Sequence, residues 1–295
     1  WGHSMTGLRI SNKSRFTRSA AGNVVNLLFL FLVAAAMALP MVYTVSSAFK
    51  PSDELFLFPP RLFVSNPTII NFTSLGSVMR DSWVPVSRYL VNSIFITVVG
   101  VIGQVVCASM AAYVLSRDSF PGQKLLNSIV VLSLMFSATV TAVPTYVVMV
   151  LLGLVNTHFA VILPAFCSSL GLFLMKQFMD QMVPMALLEA ARIDGAGEFR
   201  IYFSIVMPIC RPAWLTLIIF SFQSLWSNSG GIFIFDEQLK TLPYALNSLM
   251  GSTVIIARAG VSAAVSLLMV LPPLLTFILT QSNVLETMST SGMKE

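Results

Sequence analysis

Long apolar segments separated by short polar ones dominate the pattern along this chain. Residues 24–49, 89–116 and 259–280 contain no Asp, Glu, Lys or Arg. A helix of about 20 apolar residues is long enough to cross the hydrocarbon core of a bilayer. Each of these three runs therefore predicts a membrane-spanning helix, and Pro272 and Pro273 predict a kink in the last one.

Two further apolar regions have internal interruptions. Residues 125–175 carry no charged side chain apart from His158 and are too long for one helix. The polar stretch 153–157 predicts a break there, which gives a third and a fourth span joined outside the membrane. Residues 212–235 predict a fifth span, interrupted by Asn-Ser-Gly-Gly at 228–231. With the run at 259–280 as the sixth span, the pattern predicts an all-α membrane protein with six transmembrane helices.

The polar segments divide the chain around a single transmembrane domain at 24–280. A short segment, 1–23, precedes it, and we expect residues 1–4 to be an expression remnant. A proline-bearing loop at 50–88 lies outside, a polar loop at 180–211 lies inside, and a tail at 281–295 follows the last span.

The distribution of basic residues predicts the orientation. Arg9, Lys13, Arg15 and Arg18 precede the first span, which places the N-terminus in the cytoplasm. Six spans then place the C-terminus there too. Of the 17 Lys and Arg residues, roughly eleven fall on the inner side and six on the outer side. Four of the outer ones lie in the long first loop, where the rule has least weight.

Composition restricts the class of protein. The chain is 56% hydrophobic and only 10% charged, with a mean hydropathy of +0.84, which is typical of a polytopic membrane protein. A net charge of +5 is too diffuse to indicate a nucleic-acid partner. Cys107, Cys167 and Cys210 lie in or beside apolar runs, so we expect small buried side chains rather than a disulfide.

Several kinds of chemistry are absent from the sequence. There is no Gly-x-x-x-x-Gly-Lys-Ser/Thr motif, so we expect the chain to bind no ATP through a P-loop. With two histidines in 295 residues, neither a histidine metal site nor a hydrolytic triad is expected, and we predict no catalytic or metal-ligating residue. Proton- and ion-coupled carriers usually hold ionisable groups at membrane depth. Because the six predicted spans have none, the energy source is expected in another polypeptide.

The inner loop has the local signals of a compact helical knob. Pro184 suits the first turn of a helix, and Gly195 suits a left-handed cap at its end. The turn 196–197 leads into a second short helix, 198–206, which Pro208 is expected to end.

The same segment carries an ordered motif, Glu-Ala-Ala followed by Gly, Ile and Pro at fixed spacing. The motif falls on Glu189, Ala190, Ala191, Gly195, Ile205 and Pro208, with Met207 in place of the usual Leu. This pattern resembles the EAA loop of the membrane subunits of ABC importers. The longer string 189–196 is similar to the carbohydrate-uptake, maltose-type branch of that family.

The resemblance implies a type I ABC permease fold and a set of partners. These are a second homologous permease, two copies of a cytoplasmic ABC ATPase, and an extracytoplasmic carbohydrate-binding protein, assembled in a bacterial cytoplasmic membrane. ATP and Mg would be held by the ATPase subunits, and this chain would be a transport subunit without enzymatic activity or cofactor. The residues implied to couple it to the ATPase are Leu187, Leu188, Glu189, Ala190, Ala191, Arg192, Ile193, Asp194, Gly195 and Pro208.

The resemblance suggests specific roles within the knob. Small residues at 190, 191 and 195 would let the knob approach an ATPase cleft closely. Leu187, Leu188 and Ile193 would be apolar anchors. Glu189 would pair with a basic group on the ATPase or cap its own helix. The tail 281–295 resembles the end of one of the two permeases of the family, which in the best-known relative reaches between the ATPase subunits; an irregular end is the alternative.

The solute path has a weaker signature. A sugar site needs hydrogen-bonding groups for hydroxyls and aromatic faces for the ring, although buried polar residues also hold helices together. The candidates within the spans are Asn92, Gln104, Tyr113, Tyr146, Gln223, Trp226 and Asn228. Residues 226–230 depart from the family pattern of Trp-Asn followed by an acidic residue. The outer segment 66–72 resembles the loop where a binding protein docks.

Two other classes of protein remain open. One is an ABC importer for a non-sugar solute, whose charged groups would have to come from the partner permease. The other is a self-sufficient channel or secondary carrier, which the absence of ionisable groups in the spans disfavours.

Overall fold

The protein is helical throughout the part that the structure, a computed structural model, describes: residues 20–78, 84–117, 120–250 and 255–291. Expectations for residues 1–19 and 292–295 lie outside this part. The α-helices are Ala20–Ala48 (α1), Ser52–Leu55 (α2), Ile70–Val78 (α3), Val86–Arg117 (α4), Gln123–Ser133 (α5), Ala138–Leu151 (α6), Phe159–Phe166 (α7), Ser169–Met182 (α8), Met185–Ile193 (α9), Glu198–Ile201 (α10), Met207–Ile209 (α11), Arg211–Trp226 (α12), Leu242–Met250 (α13) and Ile255–Ser291 (α14). A π-helical turn, Tyr202–Val206, joins α10 to α11, and Glu237–Leu239 is a 3₁₀ turn.

The apolar runs coincide with long helices. In the described ranges, four segments are long and apolar enough to cross a membrane: Val24–Ala48, Val86–Arg117, Phe159–Met182 and Ala259–Gln281. Two pairs of helices, α5 with α6 and Glu198–Ile209 with α12, pass the same test together but bend by 115° and 77°. The number of candidate spans is therefore four, or six when each bent pair is one span. Helix α14 continues through Pro272 and Pro273 to Ser291.

The region 125–175 contains a turn that the sequence did not predict. The expected break at 153–157 is present, with φ values of +67° at Gly153 and +63° at Asn156. A second break separates α5 from α6 at residues 134–137, where backbone bonds to the third residue back replace the α-helical pattern. Neither Gly nor Pro marks this break. After this break, residues 138–145 of α6 line the cavity described below together with residues of α7 and α12.

The fifth apolar run forms a shorter helix than predicted. Helix α12 ends at Trp226, just before the predicted interruption at 228–231, and no helix resumes before residue 235. The Asn228 side-chain oxygen accepts a bond from Gly230 N at 2.8 Å, and Gly230 and Gly231 have φ values of +78° and +45°. A left-handed backbone at two successive residues cannot continue an α-helix, so apolar residues 232–235 belong to the following loop.

Helix α4 lies at the centre of the fold, packed against α7, α8 and α12. Small residues permit this close packing. A Cβ at Gly100 would lie 2.6 Å from Leu225 Cδ1, and one at Gly103 would overlap the ring of Phe166. The cysteines only partly match expectation: Cys210 is buried, but Cys107 and Cys167 are exposed on this isolated chain.

The two ends of α4 contact different parts of the chain. Near its start, the Asn92 amide donates to the carbonyls of Gln238 and Lys240 at 2.8 and 2.9 Å, and Tyr89 Oη donates to Glu237 Oε1 at 2.6 Å. Near its end, α4 contacts residues 179–202. We call these the loop end and the knob end of the bundle.

Residues 50–71, the first part of the predicted outer loop, are held by specific hydrogen bonds. Buried Lys50 donates to the Arg61 carbonyl, and its ammonium lies 4.9 Å from the centre of the Tyr43 ring. The Glu54 carboxylate accepts the backbone N–H groups of residues 65 and 66, both at 3.0 Å. The Asn71 amide donates to the carbonyls of Ala48 and Lys50 at 2.9 and 2.8 Å. These contacts hold the loop against the end of α1.

Candidate coupling site and solute cavity

The knob begins with helix α9, whose boundaries follow from one proline and one glycine. Pro184 takes the N-cap position, with an extended ψ of 137°, so the helix starts one residue later than predicted. At the other end Gly195 has φ +80°, and Ala196 N donates to Ala191 O at 3.0 Å. This confirms the predicted left-handed residue. A Cβ at Gly195 would meet no atom within 4 Å, so the turn is open to its surroundings.

The second arm of the knob differs from expectation. Pro208 does not end the helix at residue 206. The helical path continues to Ile209, because Tyr202–Val206 widens into a π-turn in which Met207 N–H donates to Tyr202 O. Proline has no N–H and its ring crowds the preceding turn. A π-turn just before it relieves both problems without breaking the helix.

The two faces of α9 have different surroundings. Leu188 is completely buried, in one cluster with Met179, Ile201 and Val206. The prediction that Leu188 anchors the knob to an ATPase is therefore wrong for this chain: it anchors the knob to the chain's own bundle. The opposite surface, which we call the knob surface, has Leu187, Glu189, Ala190, Arg192, Ile193, Asp194, Gly195 and, on the second arm, Pro208 exposed, with Ala191 partly buried. Ile193 is 86% exposed.

A set of three side chains, the Arg192–Glu198–Tyr113 bridge, joins both arms of the knob to α4. Arg192 Nε donates to Glu198 Oε1 at 2.8 Å, and Tyr113 Oη donates to Glu198 Oε2 at 2.6 Å. Tyr113 was predicted to lie on the solute path. It is instead buried at the knob end, with its ring 5.6 Å from that of Tyr202.

Two more polar contacts at the knob end were not predicted. The hydroxyls of Tyr202 and Ser109 are 2.6 Å apart. The Arg117 guanidinium donates to Met179 O and approaches Met185 Sδ at 3.1 Å. The opposite charges of Arg192 and Glu198, on either side of a glycine turn, could have indicated their ion pair from the sequence. No local pattern pairs Ser109 with a residue 93 positions away.

Glu189 lies on the knob surface with its carboxylate exposed. Among the described residues, no hydrogen bond or ion pair engages this carboxylate. It sits in the second turn of α9, beyond the N–H groups that a capping side chain would reach. The structure therefore contains no contact by which Glu189 would cap its own helix.

A cavity of about 440 Å³ opens between α6, α7 and α12, beside Gln104 of α4. It contains two of the predicted path residues, Gln104 and Asn228. The remaining polar residues of the lining are Thr141, Thr145, Ser168, Ser221 and Ser224, and its aromatic residues are Phe220 and Phe233.

The other predicted path residues do not line this cavity. Asn92 holds the loop end, as described above. Trp226 is buried, donates to Met269 O at 2.9 Å and stacks on Phe222 at 5.8 Å. Tyr146 packs on Phe233 with ring centres 6.2 Å apart. Gln223 is exposed on another face of α12. Asn92 and Trp226 are thus helix- and loop-packing residues here.

No metal site competes with these two sites in the described ranges. Those residues contain no cluster of three His, Cys, Asp or Glu side chains that could hold an ion.

Comparison with known proteins relates the chain to transport systems. Residues 104–284 match a family model described as "Binding-protein-dependent transport system inner membrane component". The chain is 28% identical over 273 residues to the arabinooligosaccharides transport system permease protein AraQ of Halalkalibacterium halodurans, covering 89% of this chain and 93% of that protein. It is 29% identical over 261 residues to the sn-glycerol-3-phosphate transport system permease protein UgpE of Agrobacterium fabrum, covering 86% and 91%.

A further relative matches over a shorter stretch. The diacetylchitobiose uptake system permease protein NgcG of Streptomyces coelicolor is 30% identical over 200 residues, which is 67% of this chain and 64% of that protein. Among solved structures, the fold is similar to a chain of a bacterial ABC transporter involved in the import of the acidic polysaccharide alginate. The TM-score is 0.75 at 22% identity, covering 90% of this chain and 98% of that chain.

Proposed function

This chain belongs to the family of inner membrane components of binding-protein-dependent transport systems, and we propose that it moves a carbohydrate across the bacterial cytoplasmic membrane as one of two permeases in an ATP-driven importer. Its partners would be a second permease, two copies of an ABC ATPase that hold ATP and Mg, and an extracytoplasmic binding protein. Alternating access of the paired permeases would carry the solute.

The observation that carries this proposal is the knob. Helix α9 buries Leu188 in the bundle and exposes Glu189 and Ile193, so it presents a charged and apolar surface while remaining fixed to the chain. The side chains at 190, 191 and 195 are small and project little from that surface, so another protein could approach the helix backbone closely. The Arg192–Glu198–Tyr113 bridge would pass a push on the knob surface to α4.

The solute class rests on the relatives. Proteins named for arabinooligosaccharides and diacetylchitobiose transport are similar to this chain over most of its length or two thirds of it. The glycerol-3-phosphate permease is a similar relative, so an importer for a non-sugar solute is the second candidate. An oligosaccharide is the solute that we propose first.

The contacts at the two ends of α4 support six spans with both termini inside. The loop end brings together residues 89–92 and 237–240, and the knob end brings together residues 109–117 and 179–202. Counting each bent pair as one span, these groups fall on opposite sides of the membrane. The inner side would be the knob end, because Arg117, Lys124, Lys176, Arg192, Arg200 and Arg211 lie there.

The coupling role can be tested in the complex assembled from this chain and the products of neighbouring genes. We expect Gly195→Trp to abolish stimulation of ATP hydrolysis by the binding protein loaded with an oligosaccharide, because the ring fills the open space beside the turn. Gly195→Ala carries the same backbone strain without the bulk and should retain at least half of the stimulation. Glu189→Ala should weaken assembly with the ATPase.

Normal coupling in Gly195→Trp would refute the role of the knob surface. Transport by this chain alone in liposomes, without ATP, would instead establish a channel or secondary carrier.

A further inference from the structure

The cavity between α6, α7 and α12 has a lining without formal charge. Of its lining residues, all of which lie in the described ranges, none is Asp, Glu, Lys, Arg or His. Seven carry a hydroxyl or an amide, and Phe220 and Phe233 contribute aromatic faces. Its volume of about 440 Å³ falls within the range of small-molecule sites, about 300–1,000 Å³.

One polar group in this lining is buried without a partner. Ser221 is 2% exposed, and its Oγ has no hydrogen-bond partner among the described residues. Gln104 lies on α4 opposite Gly171, where a Cβ would stand 3.4 Å from Gln104 Nε2, and among the described residues no hydrogen bond engages its side-chain amide. A buried hydroxyl such as that of Ser221 is costly without a hydrogen bond. A hydroxyl-bearing solute in the cavity would give it both a donor and an acceptor.

Other polar groups of the lining are already used in part. The hydroxyl of Thr145 donates to Thr141 O at 2.7 Å, and Ser168 Oγ accepts Gly171 N at 3.1 Å. Asn228 Oδ1 accepts Gly230 N at 2.8 Å, which leaves its NH₂ group for another acceptor. Ser224 is exposed on α12. The groups with capacity for a solute are thus Gln104, Ser221, Ser224 and Asn228.

We propose that this cavity is a subsite of this chain for a neutral, hydroxyl-rich saccharide, and that it excludes acidic saccharides. This inference rests on the proposed function and specifies its solute. Amides and hydroxyls satisfy sugar hydroxyls, while aromatic faces suit the apolar side of a ring. An anion would leave water for a space where this chain offers no cation, and burying an unpaired charge is strongly unfavourable.

The cavity's charge preference can be measured without knowing the saccharide. The experiment uses the assembled complex, in which Cys107, Cys167 and Cys210 are replaced by Ala. Two single variants, Ser224→Cys and Gln104→Cys, then place a reactive thiol at the cavity. Thr73→Cys, exposed on α3, is the control. The probes are neutral hydroxyethyl methanethiosulfonate and anionic sulfonatoethyl methanethiosulfonate. We expect the ratio of neutral to anionic reaction rates to be at least about tenfold higher at positions 224 and 104 than at position 73.

A second variant tests the sign of the effect. Asn228→Asp keeps the acceptor for Gly230 N and adds a negative charge. It should slow the anionic reagent at Ser224→Cys more than the neutral one, whose rate changes only through the thiolate fraction. Ratios equal to that at position 73, or no reaction with the neutral reagent, would overturn the subsite. Labelling uses neither ATP nor saccharide. A failure of the proposed coupling function would therefore leave the labelling result valid. A failure of the labelling prediction would likewise leave the coupling function untouched.

Discussion

At the residue scale, a few polar side chains determine how the knob is held. Glu198 accepts from Arg192 on one arm and from Tyr113 on α4. Glu189, nine positions before it, has its carboxylate exposed on the knob surface. One carboxylate thus serves the chain's own bundle and the other is open to a partner, although both lie in the same polar segment.

We predict that Tyr113→Phe loosens the knob without unfolding the bundle. The substitution removes the hydroxyl from Glu198 Oε2 and keeps the ring packed against Tyr202. Because Glu198 is exposed, the lost bond should contribute about 1 kcal/mol. Amide hydrogen exchange in 185–201 should then be roughly fivefold faster.

The matched control is Tyr146→Phe, whose ring packs on Phe233 far from the knob. Exchange in 185–201 should be unchanged in that variant. If Tyr113→Phe also leaves it unchanged, the bridge does not hold the knob.

At the element scale, close approaches between helices decide the packing. Gly260 on α14 faces Asn71 on α3, and a Cβ there would lie 2.2 Å from Asn71 Oδ1 and 2.8 Å from Cγ. The same Asn71 amide ties α3 to the end of α1 through the carbonyls of Ala48 and Lys50. Three helices therefore meet at one glycine.

We predict that Gly260→Ala destabilises the fold by about 1–3 kcal/mol, a typical cost of overpacking. The added methyl would displace Asn71 and break its two hydrogen bonds. Thermal unfolding of the assembled complex measures this. Gly197→Ala is the control, because no atom lies within 4 Å of its Cβ and its φ of −72° suits alanine.

Asn71→Ala should be destabilising as well, and the double variant should cost less than the sum of the two. A Gly260→Ala complex as stable as the Gly197→Ala complex would show that α3 and α14 can separate freely at this point.

At the scale of the whole molecule, polar contacts collect at the two ends of α4, and the cavity lies between them. The loop end holds Asn92 and residues 237–240, and the knob end holds the Arg192–Glu198–Tyr113 bridge. The described apolar helices connect the two ends. This arrangement would let a movement at the knob reach the cavity through α4, which carries both Tyr113 and Gln104.

We predict that the two ends lie on opposite sides of the membrane. With the native cysteines replaced, Ser52→Cys should react with a membrane-impermeant maleimide in cells whose cytoplasmic membrane is intact and whose outer envelope lets the reagent through. Lys124→Cys should react only after the cytoplasmic membrane is permeabilised. Both residues are exposed in the structure and lie away from the knob surface. The reverse labelling pattern would invert the topology.

The sequence by itself determined the class of protein, the positions of the apolar helices and the segment that carries the Glu-Ala-Ala motif. These are local properties: hydrophobic length identifies a span, and Gly195 has a left-handed backbone because glycine adopts it without steric cost. The resemblance to ABC permeases rested on such a local string, and the family match agrees with it.

Only the tertiary structure decided which polar residues do what. Tyr113, Gln104 and Asn92 lie on one helix in similar apolar surroundings, yet one braces the knob, one lines the cavity and one holds a loop. The sequence could not separate them, because each role depends on a residue far along the chain that packing brings near. The turn at 134–137 and the burial of Leu188 have the same origin: both depend on how helices fit together, and no local residue signals that.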